Sequence, residues 1–129
     1  QKGMPQAVIS HETALTVHDL SDVMPAAVHL TVPPGFRKRA PAGCVLHRAD
    51  LTAADSEQRA GFRVTTPLRT LVDAAESALS QEHLDRAVLD ALQRGLARRP
   101  ALVTVACSPA ARARIDQALA AAQTRQAVP

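Results

Sequence analysis

The rhythm of apolar and polar positions changes near residue 66: short stretches with period two come before it, and helical stripes follow. Val28-His29-Leu30-Thr31-Val32 alternates as a half-buried strand does, and Pro33-Pro34-Gly35 stops it. Cys44 to Asp50 reads as a second strand and Gly61 to Thr65 as a third. The charged stretch between them, Leu51 to Ala60, is expected to be a turn or short helix. Ahead of all three, Ala7 to Ile9 is a short apolar run. Ser10 sits where its hydroxyl can accept a free backbone N–H, and Glu12 falls in the first turn. A short helix is therefore predicted from His11 to about Leu20, ended by Ser21, Asp22 and Pro25.

After the change of rhythm, Thr66-Pro67 marks a helix start: Thr66 caps, and Pro67 takes the first position, where a missing N–H costs nothing. Leu68, Leu71, Val72 and Ala75 then share one face, while Arg69 and Asp73 stand four apart on the other. Thr66, Pro67, Arg69 and Asp73 are accordingly expected to start and pin this helix. The next helix is predicted to begin at Ser80, with Leu84, Ala87, Val88, Ala91 and Leu92 on one stripe, and to close at Gly95. Ala101 to Cys107 fits either strand or helix. Ser108-Pro109 repeats the cap-then-proline signature, and Ile115, Ala118, Leu119 and Ala122 give the last helix its apolar stripe. Strands first and helices later predict an α+β fold, a small mixed or antiparallel sheet packed by C-terminal helices. The expected organisation is a linker stump over 1–6, one domain over 7–123 and a frayed tail over 124–129.

Composition narrows this picture. At 129 residues and 47% hydrophobic, the chain has room for one core and is too apolar for disorder. Phe36 and Phe62 are its only aromatics, so the core must come from Leu, Val, Ile and Ala, and modest stability is expected. Cys44 and Cys107 lie far apart without metal-ligand spacing, which suits reduced thiols in a cytoplasmic protein. No apolar run is long enough to span a bilayer.

Candidate chemistry is thin. His11 and His18 are seven apart, whereas a shared zinc on a helix needs a spacing of four. His29 and His47 fall on separate predicted strands and are expected as cross-strand neighbours, still short of a third ligand. Asp50, Asp55 and Glu57 lie close in sequence, but neither lysine is near them, and they read as a solvated turn rather than a magnesium site. There is no serine elbow and no glycine-rich phosphate loop. The residues predict no enzyme and no cofactor. What remains is basic surface: the formal charge is +3, and Arg37, Lys38, Arg39 and Arg48 are expected to face a polyanion such as DNA, where phosphate contacts add affinity without sequence specificity.

The stretches Ser10 to His18, His29 to Pro33, Leu46 to Leu51 and Val64 to Asp73, in this order, resemble the AbiEi family of antitoxins from type IV toxin–antitoxin systems. One departure is Asp19, where such sequences usually carry Gly. The resemblance implies a domain that counters a nucleotidyltransferase toxin and assists DNA binding. It also implies a preceding winged-helix head that represses the operon and that this chain is expected to lack. The same series is similar to the region preceding very-short-patch-repair-like endonuclease domains. That similarity keeps open a metal-dependent nuclease or DNA-processing fragment using Asp50, Asp55, Glu57 and the histidines.

Overall fold

The computed structural model describes residues 7–22 and 24–127, so the expected linker stump and the last two residues lie outside the described residues. The chain gathers into two compact units, one reaching to Thr70 and one beginning at Leu71. Helices and a mixed sheet are both present, which makes the fold α+β.

The first unit is built on five strands: β1 (Val8–Ile9), β2 (Val28–Val32), β3 (Cys44–Arg48), β4 (Ser56–Arg59) and β5 (Phe62–Thr65). Their order is β3-β2-β1-β5-β4. The short run Ala7–Ile9 supplies the middle strand, antiparallel to β2 (Ile9 opposite Leu30) and parallel to β5 (Ile9 opposite Val64). Val8 and Ile9 point to opposite faces of the sheet and both are buried, which is why this run is apolar without alternation. Strands β2 and β3 run parallel, and β4 and β5 form an antiparallel hairpin.

β4 corrects the reading of 51–60. A single 3₁₀ turn, Ala53–Asp55, leads into a strand rather than closing the segment as a loop. Ser-Glu-Gln-Arg shows no apolar alternation because β4 is an edge strand, where charge is tolerated and discourages pairing with other chains. Helix α1 (His11–Val17) buries Ala14 and Leu15. Ala14 joins Ile9, Leu30, Val32 and Val64 in one apolar cluster, with Val17, Phe36, Leu46 and Phe62 at its margin.

Helix α2 (Pro67–Ala75) spans the division between the units. The second unit continues with α3 (Gln81–Gln93), α4 (Arg99–Thr104) and α5 (Pro109–Ala127). Both α3 and α4 pack against α5. Five alanines of α3 and α5 (Ala87, Ala91, Ala111, Ala118 and Ala122) are buried, so close helix approach stands in for the missing aromatics. The ambiguous stretch 101–107 is helical as far as Thr104, in a helix that opens with Pro100 in its first turn. Helix α5 continues to Ala127, into the stretch where fraying is expected.

Candidate functional site

Because β2 and β3 are parallel, the chain leaving the end of β2 must travel back along the sheet before β3 can begin. For five-residue strands that return covers roughly 17 Å. The segment 33–43 makes the crossing without a helix, so its polar backbone and charged side chains stay in solvent. Arg37, Lys38 and Arg39 are exposed on it. Arg48, at the end of β3, donates its Nε hydrogen to the Phe36 carbonyl at 3.3 Å, which draws a fourth cation to the start of the loop.

A second constellation assembles where α1 begins. In the parallel register His29 lies opposite Val45 and Thr31 opposite His47, so alternation puts all four on one sheet face. The His29 and His47 rings approach with Nδ1 of the first 2.9 Å from Nε2 of the second. Glu12 Oε2 lies 3.2 Å from His29 Nε2. The His11 ring stacks on that of His47, with centroids 3.6 Å apart and planes inclined by 15°. His11 Nδ1 also meets Ser10 Oγ at 2.9 Å, and Ser10 Oγ accepts a hydrogen bond from Thr31 Oγ1 at 2.8 Å. Both Ser10 and Thr31 are buried.

This arrangement revises the expected cap. Ser10 occupies the N-cap of α1, but its hydroxyl makes no cap bond because His11 and Thr31 have already engaged it. It also separates the histidines differently from their sequence spacing: His11 belongs with His29 and His47, not with His18. His11 carries a φ of 53°, in the left-handed region that a non-glycine residue enters at a cost of about 1–2 kcal/mol. Surrounding contacts must hold such a residue in place. Burial, then the neighbouring His47 and His29, then Arg69, push the His11 imidazole down from its ordinary value to about 4. Burial and His29 push His47 down as well.

His18 has a separate, internal role. It is 3% exposed, and its Nε2 lies 2.7 Å from the Thr65 carbonyl, while Arg59 reaches its Nδ1 at 3.3 Å. A carbonyl only accepts and a guanidinium only donates, so the ring carries its hydrogen on Nε2. The bond ties the end of α1 to the last residue of β5.

The other singled-out residues are distributed as follows. Thr66 Oγ1 accepts the backbone N–H of Arg69 at 3.2 Å, and Pro67 opens α2. Arg69 reaches back to Asp55 at 4.0 Å. Asp73 is only 6% exposed, so the helix face opposite the apolar stripe is itself covered. Asp55 Oδ2 accepts the Thr52 backbone N–H at 2.8 Å and the Thr52 hydroxyl at 3.0 Å, and Glu57 pairs with Arg59 at 3.2 Å. Asp50 is exposed and lines a cleft of about 370 Å³ with Thr31, Thr52, Ser56 and Arg63. The three carboxylates thus have different surroundings. Among the described residues, no three His, Cys, Asp or Glu side chains are disposed to hold a metal ion.

Two arginines that the sequence pattern did not single out each bond several carbonyls in the second unit. Arg114 donates to the carbonyls of Ala75 (3.1 Å), Ser77 (2.9 Å) and Leu79, and to Gln81 Oε1 (3.2 Å). Arg112 donates to the carbonyls of Leu102 (2.7 Å) and Val103 (3.0 Å). Each satisfies carbonyls that a helix end leaves open. A nearby proline or glycine hints at such helix ends, but no local signal says which distant arginine will reach them.

No helix among the described residues is long and apolar enough to cross a membrane. No curated protein matches the chain. Residues 6–121 match the family model described as the AbiEi antitoxin C-terminal domain, which covers the sheet, the histidine cluster, the basic loop and most of the helical unit. A match over most of its length makes this chain a member of the AbiEi antitoxin family, an antitoxin domain of a toxin–antitoxin system.

Proposed function

We propose that the domain works without catalysis in the bacterial cytoplasm, countering a nucleotidyltransferase toxin and assisting DNA binding through Arg37, Lys38, Arg39 and Arg48. The observation that carries the DNA side of this reading is the return loop between the parallel strands. It displays three consecutive exposed cations, and among the described residues none of the three is engaged in an ion pair. Cations in a crossing loop are presented to a polyanion without disturbing the sheet beneath them. Such contacts are electrostatic, so they supply affinity, and operator bases fall to another module to read.

The toxin side rests on family membership together with the way the carboxylates are used. Asp55 and Glu57 are committed to local hydrogen bonds and an ion pair, which supports a docking role over a cleavage role. The test is DNA affinity measured against salt concentration. Reversing Arg37, Lys38 and Arg39 to glutamate flattens the slope of log affinity against log salt by about 0.9 for each phosphate no longer neutralised. An unchanged slope removes the loop from the DNA contact. Cleavage of labelled DNA in Mg²⁺ or Mn²⁺ that disappears in Asp50→Ala would replace this reading with a nuclease. Co-purification with a co-expressed nucleotidyltransferase tests the partner.

A further inference from the structure

The cluster at the start of α1 contains more titratable chemistry than packing alone requires. Glu12 comes from α1, His29 from β2 and His47 from β3, while His11 lies over His47 with Arg69 as the nearby permanent cation. The Glu12 carboxylate, 3.2 Å from His29 Nε2, favours by charge attraction a hydrogen on that nitrogen. His29 Nδ1 is then free to accept from His47 Nε2 at 2.9 Å, giving a chain that runs His47 to His29 to Glu12. One added proton is tolerated in this chain. With a hydrogen on both His29 nitrogens, His47 must carry its own on Nδ1 so that its Nε2 can accept. A second proton is not tolerated. With His29 and His47 both charged, two N–H groups face each other across 2.9 Å, and with His11 and His47 both charged, two cations stack at 3.6 Å.

We propose that His11, Glu12, His29 and His47 form a proton-operated clasp fastening the first turn of α1 to β2 and β3, closed with at most one positive charge on the imidazoles and opened by a second. The backbone is set for release. His11 sits in the left-handed region at φ 53°, and the stacking on His47 and the bond to Ser10 hold it there. Once the stack separates, that residue relaxes and the first turn loses its anchor. Ser10 would be freed with it, because its amide donates to the His29 carbonyl at 3.0 Å and its carbonyl accepts from the Ala14 amide at 3.1 Å. The depressed His11 and His47 are consistent with a closed clasp near neutrality. This inference does not depend on DNA or toxin binding.

Amide hydrogen exchange on the full chain tests it, with rates corrected for the intrinsic effect of pH. Between pH 7 and about 4.5, protection of the Ser10 and Ala14 amides falls by about tenfold or more relative to the Val64 amide in β5, the size of a one-unit shift in a single coupled group. In His47→Gln, which removes the ring common to both repulsive pairs, that selective loss disappears, and in His11→Asn, which leaves the His29–His47 pair, it shrinks. Loss that persists in His47→Gln overturns the clasp, and so does loss in which Val64 falls equally. Should a variant fail to fold, the wild-type imidazole resonances decide. The clasp requires His11 and His47 to titrate together with the loss of α1 protection, and titration with α1 still protected overturns it.

Discussion

Asp19 and Gly95 occupy the same position in two copies of one motif. Each follows the last turn of a helix in the left-handed region, with φ 57° and 71°. Around Asp19, the Leu20 amide donates to the Leu15 carbonyl at 2.8 Å and the Asp19 amide to Thr16 at 3.0 Å. Around Gly95, Leu96 donates to Ala91 at 2.9 Å and Gly95 to Leu92 at 3.2 Å. The six-to-one and five-to-two bonds are those of a Schellman ending, which favours glycine because no Cβ opposes the carbonyl. Asp19 thus adopts the glycine geometry and bears the strain, with its negative charge at the unfavourable end of the helix. Asp19→Gly should raise stability by roughly 0.5–1 kcal/mol, and Gly95→Ala should lower it by about 1 kcal/mol, read from the midpoints of urea unfolding followed by circular dichroism. At His11 the depressed folded value means that the unfolded chain binds the proton more readily. The stabilisation is thus complete above about 6.5 and is lost as pH falls from there toward about 4. Urea midpoints measured across that interval should decline in the wild type and decline less in His11→Asn.

Among the elements, the ends of α2 and α4 depend on side chains from α5. Arg114 reaches three carbonyls in the turn after α2 while its own carbonyl accepts from Gln81 Nε2 at 3.0 Å, and Ser108 at the start of α5 donates its hydroxyl hydrogen to Glu76 at 2.6 Å. A planar guanidinium can serve several acceptors in fixed directions, and an ammonium cannot reproduce that fork. Arg114→Lys should therefore cost about 1–3 kcal/mol of stability, and Arg114→Met at least as much, since several part-buried acceptors lose their partner together. A loss of less than roughly 0.5 kcal/mol in chemical denaturation would mean that water replaces these bonds. The arginines of this chain divide accordingly between internal fasteners such as Arg112 and Arg114 and the exposed cations of the return loop.

At the scale of the whole molecule, the proposed DNA contact predicts affinity with little selectivity. Arg37, Lys38 and Arg39 lie in a crossing loop with no helix or strand to enter a groove, so the proposed contacts should fall on phosphates rather than base edges. This chain alone should bind duplexes of scrambled sequence within about tenfold of a matched operator at equal salt, the discrimination a single good base contact would already supply. Gel-shift or anisotropy titrations measure this directly. A preference of about a thousandfold, typical of specific readers, would place base recognition inside this domain.

The α+β class and several element boundaries were legible because they depend on neighbours in sequence. The strand over 28–32 follows from its alternation, and the helices after Ser80 and Ser108 follow from a cap, a proline or a glycine, all of which act within a turn or two of chain. The AbiEi resemblance was legible too, because it is carried by short motifs in order. Pairing partners were not. A two-residue run gives no sign that it will be the middle of a sheet, and a polar tetrapeptide gives none that β5 will make it a strand. The nearness of His29 and His47 was expected from their two strands, but the place of His11 over them was hidden for the same reason. His11, His29 and His47 meet only because parallel pairing sets the register of β2 against β3 and α1 starts above them, and that register is fixed by burial across the sheet, at distances along the chain that no local pattern encodes.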